Sequence, residues 1–368
     1  MKKIALLTDG IWPDMIGGMQ KHSFYLIKYL VINGYKVDVY FTATDSKAVI
    51  DQFSFDEALN ITFYKVEQPP LLWRFPGHYV YSAYQLSKSM YKAMMTKEPY
   101  DFVYAQGFTG WYSVNKGIKV GSNLHGLEMF QKVFGLKSQL IRYLLQIPAK
   151  PIIKKSHINF SLGGKLTAIL KEQGAKIICE TPIGIGEEWL NKSNGTNTPR
   201  AFVFVGRNEK RKGLDLLFKV IQSLHSQQFK FHFIGIEQPA MMKGDNRCVF
   251  YGEEKNPLKI RAVLQQSDVL VCPSIAEGMP TVILEAMASG LAILATDTGA
   301  TSLMVGNDNG LLVTPGDQNA ISNGLLFFIN ADDEKLLQLK DNSYTKLITN
   351  FIWPISIKAT IRSISSSE

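Results

Sequence analysis

Two glutamates, Glu277 and Glu285, stand with seven residues between them in the stretch 273–299. Pro280 suits the first position of a helix, because its missing N–H would be unpaired there, and Gly290 suits the helix end. Glu285 would then lie about 7 Å further along the helix axis. N–H groups at a helix start bind anions. A ligand with an anionic centre and hydroxyl-bearing ends, such as a sugar nucleotide, would therefore fit between the two acids.

A basic loop follows the apolar segment 201–205. It reads Gly206-Arg207 and then Lys210-Arg211-Lys212-Gly213. Arg offers a planar fork of donors and Lys a point charge, so closely spaced cations beside a helix start suit a diphosphate. An ordinary solvated loop is the alternative. The chain has no G-x-x-x-x-G-K-[ST] string, which excludes a Walker loop.

The pattern around the glutamates resembles the retaining glycosyltransferases of the GT-B fold, in particular glycosyltransferase family 4. Those proteins carry two glutamates separated by seven residues and then an Ala-Met-Ala-type helix, here Glu285-Ala286-Met287-Ala288. The resemblance implies that Glu277 contacts the donor sugar and that Glu285 holds the nucleotide ribose. It also implies that Arg207 and Lys212 neutralise the leaving diphosphate without a metal. For either acid alone, a solvated charge at a helix start is the alternative.

The same resemblance implies further residues around the donor. Gly17 and Gly18 precede the first long helix and allow close backbone approach, although a plain turn also explains them. His125 is implied to lie beside the donor sugar and completes the predicted catalytic set; a satisfied histidine at a sheet end is the alternative. Glu128 is a weaker candidate on the acceptor side. Apart from the resemblance, the residues around Glu277 could hold sugar hydroxyls or phosphate through N–H groups and the Thr281 hydroxyl: Ser274, Gly278, Met279 and Thr281, with Pro280 in the same predicted set. Tyr251 follows a strand and is predicted to border the nucleobase; a core aromatic at a strand end is the alternative.

Retaining transfer runs by covalent double displacement or by attack on the same face. Carboxylates about 5 Å apart would indicate the covalent route. Glu277 and Glu285 are too far apart for it, and the resemblance assigns the second to the ribose. We therefore expect the departing diphosphate to help deprotonate the acceptor. Because the chain has no D-x-D string, we predict a metal-independent enzyme without a cofactor.

Two successive strand–helix systems must position these residues. The first opens with a strand over 3–8 and the second with the apolar strand 201–205. Alternating strands and helices indicate parallel sheets covered on both faces. The predicted fold class is α/β, of the GT-B type, with two Rossmann-like doubly wound domains facing a central cleft. We expect an acceptor-binding domain over 1–180, rejoined by a crossover helix at about 351–368, and a donor-binding domain over 181–350.

Composition limits the class of protein. Apolar residues form 46% and charged residues 20% of the 368 residues, as in soluble globular proteins. Three cysteines without paired spacing predict a cytoplasmic protein without disulfides or a zinc site. The net charge of +8 comes from residues 1–180, which hold 22 Lys and Arg against 13 Asp and Glu.

The basic first half predicts an anionic partner. Segment 71–76 sets aromatics beside Arg74, and segment 132–155 mixes apolar and basic residues in a pattern suited to an anionic bilayer. An ordinary surface helix is the alternative for the second segment. We expect loose, salt-sensitive association with the inner face of the cytoplasmic membrane. Nucleic-acid binding would rest on the pI of 9.1 alone, without a recognisable module, and is not expected.

The predicted function is transfer of a sugar from a nucleotide-diphosphate sugar to a glycan or glycolipid acceptor, in polysaccharide or lipopolysaccharide biosynthesis. A non-hydrolysing nucleotide-sugar epimerase stays open, because it would also bind a diphosphate in such a cleft. A non-catalytic sugar-nucleotide-binding partner subunit stays open too, although intact Glu277, Arg207 and Lys212 speak against it.

Overall fold

The computed structural model describes residues 1–15, 17–42, 46–68, 77–97, 99–131 and 135–366. The chain divides into two compact units. Met1–Ile183 and Ser356–Glu368 form the first unit, and Gly184–Ile355 forms the second. The predicted aromatic segment 71–76 lies outside the described residues, as do residues 132–134 of the basic segment.

The first unit is built on parallel strands, buried mainly by apolar side chains. The strands are β1 (Lys3–Leu7), β2 (Lys36–Phe41), β3 (Ile61–Lys65), β4 (Phe102–Gln106), β5 (Val120–Asn123), β6 (Ile158–Ser161) and β7 (Ile178–Glu180). The helices are α1 (Gly18–Ile32), α2 (Ser46–Ile50), α3 (Phe55–Ala58), α4 (His78–Met95), α5 (Trp111–Asn115), α6 (Leu136–Lys155) and α7 (Lys165–Glu172). Within the described residues the sheet order is β3-β2-β1-β4-β5-β6-β7. The order switches direction between β1 and β4, where α/β sheets bind ligands at the carboxyl ends of the strands.

The second unit repeats this plan with a smaller sheet. Its strands are β8 (Ala201–Val205), β9 (Lys230–Ile234), β10 (Cys248–Phe250), β11 (Val269–Cys272), β12 (Ala292–Thr296) and β13 (Gly310–Val313). Its helices are α8 (Leu214–Ser223), α9 (Pro257–Gln265), α10 (Thr281–Ala288), α11 (Thr301–Met304), α12 (Gln318–Asn330), α13 (Asp333–Asn350) and α14 (Trp353–Ser356). The sheet order is β10-β9-β8-β11-β12-β13, so its switch point lies between β8 and β11.

Phenylalanines dominate the core of the second unit. Phe231 and Phe233 of β9 are fully buried, and their ring centroids lie 4.5 Å apart. Phe233 also stacks on Phe250 of β10 at 4.7 Å. Such aromatic packing fixes the strands, and with them the loops at their carboxyl ends.

The chain returns to the first unit at its end. A helix α15 (Lys358–Ser365) packs on β7, where Ser363 Oγ donates to Cys179 Sγ at 2.8 Å. The hydroxyls of Tyr35 and Ser365 lie 2.6 Å apart. The sequence predicted one final helix, whereas α14 and α15 are separate, with the buried Ile357 between them. No helix among the described residues is both long and apolar enough to cross a lipid bilayer.

Candidate functional site

The loops after β8 and β11 are packed against each other and hydrogen-bonded at the switch point of the second unit. The first loop passes through a 3-10 turn, Lys210–Lys212, and ends at Gly213, which has a φ of +71°. A Cβ on Gly213 would lie 2.1 Å from the Pro273 carbonyl oxygen, so only glycine permits this approach. The Ile275 N–H donates to the Arg211 carbonyl at 2.7 Å. The two loops therefore act as one rigid frame.

Glu277 lies at the centre of a charged cluster in this frame. Lys212 Nζ donates to Glu277 Oε1 at 2.6 Å, and Arg211 Nη1 donates to Oε2 at 2.9 Å. Ser274 Oγ donates to Oε1 at 2.8 Å. The side chain of Glu277 is only 7% exposed and that of Lys212 only 13%. Charge-assisted hydrogen bonds of this length are strong, so one carboxylate holds two cations in fixed positions. We call Glu277, Lys212, Arg211 and Ser274 the Glu277 cluster.

Arg207, predicted as a diphosphate ligand, lies outside the Glu277 cluster. Its side chain is 83% exposed, and its Nε lies 3.3 Å from Glu209 Oε1. Glu209 also accepts a hydrogen bond from Arg211 Nε at 2.7 Å. Arg211 is therefore the second cation on Glu277, in place of the predicted Arg207. The only available signal was its place in a basic run, because the 3-10 turn decides which cation of that run points inward.

The helix after Glu277 is α10, and it begins one residue later than predicted. Pro280 is its N-cap rather than its first residue, because the backbone there is still extended, with a ψ of 108°. Thr281 is thus the first helical residue, Met279 is buried, and Glu285 is half-buried on α10.

The turn at Gly278 packs backbone against backbone. Its carbonyl accepts a hydrogen bond from the Ala300 N–H at 2.8 Å. Gly299 has a φ of +51°, and a Cβ there would lie 2.1 Å from the same carbonyl oxygen. A side chain at Gly299 would displace the turn that presents Glu277.

Tyr251 is not brought to the Glu277 cluster. It follows the edge strand β10, and β9 and β8 lie between that strand and β11. Its hydroxyl lies 3.0 Å from His232 Nδ1. Tyr251 is 41% exposed, so a ligand could reach it at the edge of the sheet.

In the first unit, the predicted glycines lie at the start of α1. Gly17 is the N-cap with an extended backbone, and Gly18 is the first helical residue. No side chain of the described residues caps this end. Asp9, which follows β1, accepts a hydrogen bond from Gln20 at 3.2 Å, and burial raises the pKa of its carboxyl. Gly17 and Gly18 come after β1, and β1 lies at the switch point of this sheet.

His125, Gln106 and His22 form a cluster of neutral polar groups, which we call the His125 cluster; His22 and Gln106 are buried and His125 is half-buried. His125 follows β5 and has a φ of +56°, in the left-handed region that favours glycine. His125 Nε2 donates to Gln106 Oε1. Gln106 Nε2 donates to His22 Nδ1 at 2.9 Å, and the two imidazole rings meet edge to face at 4.9 Å. Neither Gln106 nor His22 is among the predicted site residues.

Burial keeps both imidazoles neutral. It lowers the pKa of His22 to about 4. Burial also lowers the pKa of His125 well below its usual range, and the neighbouring His22 lowers it further. Because Gln106 accepts from Nε2–H of His125, the Nδ1 atom carries a lone pair. This buried Nδ1 has no partner among the described residues, so it is a ready acceptor for a ligand hydroxyl.

Other chemistries find less support in the described residues. They contain no group of three His, Cys, Asp or Glu side chains placed to share a metal ion. All three cysteines are free. Burial raises the pKa of Cys272 to about 11, and Glu277 adds to the rise. The thiol is therefore protonated at neutral pH and is not an activated nucleophile.

Residues 199–331 match the family described as Glycosyl transferases group 1. The matched segment contains all six strands of the second unit and the whole Glu277 cluster. These residues form a glycosyl transferases group 1 domain. The predicted resemblance is confirmed at this level, and membership of family 4 stays a prediction.

Two curated relatives and one solved structure extend the comparison. TuaC of Bacillus subtilis, whose name places it in teichuronic acid biosynthesis as a glycosyltransferase, is 32% identical over 126 residues, 34% of this chain and 32% of TuaC. An uncharacterized glycosyltransferase of Methanocaldococcus jannaschii is 24% identical over 95% of both chains. Anabaena HepE, solved with UDP and glucose, is 15% identical, with a TM-score of 0.72 over 100% of both chains. Two Rossmann-like α/β units of the GT-B type are thus confirmed as the fold class.

Proposed function

We propose that the protein transfers a sugar from a nucleotide-diphosphate sugar to a glycan or glycolipid acceptor. The observation that carries this proposal is the Glu277 cluster, two cations held on one carboxylate at the switch point of a glycosyl transferases group 1 domain. HepE was solved with UDP and glucose, and TuaC is named for teichuronic acid biosynthesis. The HepE complex supports a sugar nucleotide as donor, and the name of TuaC supports polysaccharide or lipopolysaccharide synthesis as the setting.

In this proposal the diphosphate replaces Glu277 as the anion held by the cations. Lys212 and Arg211 would contact the phosphates first, and the exposed Arg207 would close on them from outside. These charges would neutralise the leaving diphosphate, so no metal is needed. The carboxylate of Glu277, displaced from Lys212, would accept hydrogen bonds from sugar hydroxyls. Glu285 on α10 would hold the ribose.

The backbone around α10 would supply the remaining donor contacts. N–H groups of Gly278 and Met279 lie just before the helix start at Pro280 and Thr281, where anions and hydroxyls are bound well. Gly17 and Gly18 at the start of α1 are proposed to contact the donor by the same physical principle. Tyr251 stays a proposed nucleotide contact at the edge of its sheet.

We propose that transfer retains the configuration of the sugar and proceeds on one face. The departing diphosphate would accept the proton of the attacking acceptor hydroxyl while the bond to the sugar breaks. Neutral His125 would accept a hydrogen bond from a sugar hydroxyl through Nδ1 and orient the sugar. The anomeric configuration of the product, measured by proton NMR, tests retention, and activity in excess EDTA tests metal independence.

Thermal stabilisation by UDP, GDP, ADP and dTDP tests the diphosphate site. A ligand at a hundred times its dissociation constant adds about 2.7 kcal/mol of stability. We expect Lys212→Ala to abolish the gain, and Arg207→Ala to reduce it less, because Arg207 is exposed. Lys210→Ala is the matched control, since it removes a neighbouring lysine outside the Glu277 cluster.

The outcomes separate the proposal from its rivals. An unchanged gain in Lys212→Ala would overturn the assignment of the diphosphate. Formation of an epimer from a UDP-sugar alone would favour the epimerase. Nucleotide binding without transfer to any membrane-extracted acceptor would favour a non-catalytic subunit.

A further inference from the structure

One face of α6 is apolar at one end and cationic at the other. Leu136, Leu140, Tyr143 and Ile147 recur every three or four residues, so they lie on one side of the helix. They are 86%, 54%, 64% and 52% exposed. Lys150 and Lys154 continue the same spacing and are exposed as well. We call these six residues the α6 stripe, and it spans about 27 Å of helix.

The opposite side of α6 holds the helix on its unit. Ala149, Ile152 and Ile153 are fully buried. Arg142 Nε and Gln146 Nε2 both donate to the Met129 carbonyl, at 3.0 and 2.9 Å. The helix is therefore anchored by one side, and the α6 stripe is not needed to hold it in place.

Charge selects the kind of partner. The sequence has no Asp or Glu between residues 129 and 171, while α6 itself carries Lys137, Arg142, Lys150, Lys154 and Lys155. A protein partner would have to cover the apolar row and also supply acidic groups for all the cations, because this segment contains no acid of its own. An anionic bilayer offers both, because its acyl region takes apolar side chains and its headgroups attract lysine.

We propose that the α6 stripe docks the protein on an anionic lipid surface. Leu136, Leu140, Tyr143 and Ile147 enter the interface, and Lys150 and Lys154 lie among the headgroups. The helix therefore binds with its N-terminal half deeper than its C-terminal half. A single apolar row binds weakly by itself, so the apolar and the cationic part are both required.

Sedimentation with lipid vesicles tests this proposal without nucleotide or acceptor, so its result does not depend on the proposed function. We expect the protein to bind vesicles of equal parts phosphatidylglycerol and phosphatidylcholine, and to bind pure phosphatidylcholine at least tenfold less. Leu140→Glu should weaken binding at least tenfold. Lys150→Gln should weaken it about fivefold. Raising the salt until the Debye length is about 3 Å should release the protein.

Leu258→Glu is the matched control, because Leu258 is a 66% exposed leucine on α9 of the second unit. It should bind vesicles like the unchanged protein. Far-UV circular dichroism and thermal unfolding, measured in parallel without ligand, show that each variant is folded. An equal loss of vesicle binding in Leu258→Glu and Leu140→Glu would overturn the proposal. Binding that does not depend on phosphatidylglycerol would overturn it as well. The protein could also fail to bind vesicles and form a dimer in solution. If Leu140→Glu dissociated that dimer, the α6 stripe would be a contact with a second copy of the chain and the proposal would be wrong.

Discussion

The Glu277 cluster and the His125 cluster accommodate polar groups away from solvent in opposite ways. In the first, a carboxylate that is 7% exposed is matched by two cations and a hydroxyl. In the second, a buried and a half-buried imidazole share one amide, and desolvation keeps both neutral. The carboxylate is paired with opposite charges, whereas the imidazoles are neutral and so avoid the cost of a buried charge.

The contrast indicates what each cluster can do for a ligand. The Glu277 cluster exchanges one anion for another, so it suits a charged leaving group. The His125 cluster offers an uncharged acceptor atom in fixed orientation, so it suits a hydroxyl. Removing the carboxylate charge from the first cluster and the shared amide from the second therefore tests whether the two differ in this way.

The largest effect is expected from Glu277→Gln, which removes the charge and keeps the shape. Turnover should fall about a hundredfold or more, as when one preorganised electrostatic contact is lost. Affinity for the nucleoside diphosphate should not fall, because the internal anion no longer competes for Lys212 and Arg211. Steady-state kinetics and nucleotide titration measure the two effects separately. Glu253→Gln, a charge change at a side chain 75% exposed, is the control. Parallel loss of affinity and turnover would contradict the exchange of anions.

A smaller effect is expected from Gln106→Leu, which removes the amide shared by the two imidazoles. Protein stability should fall by about 1–3 kcal/mol, because buried nitrogen atoms lose their partner. Turnover should fall while nucleotide affinity stays unchanged, and nitrogen NMR should show that His125 no longer holds one tautomer. Gln338→Leu, at an exposed position of α13, is the control. A His125 signal that does not change would refute the positioning role of Gln106.

The smallest effect concerns pH. The pKa of His22 is about 4 in the folded protein, against 6.5 ordinarily. Between these values the unfolded chain binds a proton that the folded chain does not, so stability falls as pH drops below about 6.5. At pH 5.5 the loss should be about 1 kcal/mol. Urea unfolding of His22→Gln should show a flatter pH dependence, whereas the exposed control His225→Gln should not. Identical curves for all three proteins would contradict a neutral buried His22.

Much of the fold could be predicted because its signals are local. Alternating apolar strands and helices indicated two parallel α/β sheets, and the fold class is confirmed. The turn residues Gly213 and Gly299 show why the loops at the strand ends are so well defined: their backbones touch other backbones, where no side chain fits.

The partners inside each cluster could not be predicted in the same way. Gln106 ends an apolar strand, and His22 lies in a helix, so no spacing in the sequence relates either residue to His125. They meet only because β4 and β5 are neighbours and α1 packs nearby. Arg211 and Arg207 differ by four positions in one basic loop, and the turn alone decides that the first is half-buried and the second exposed.

The return of α15 to the first unit makes the second unit an insertion. The strand β7 is covered in part by a helix that the chain forms only after residue 357, and Cys179 and Tyr35 both bond to that helix. A fragment ending at Ile183 would lack this cover and is expected to be poorly folded. Joining Ile183 to Ser356 through a short flexible linker should instead give a first unit that folds by itself. The shorter connection would also lower the entropy lost when α15 docks.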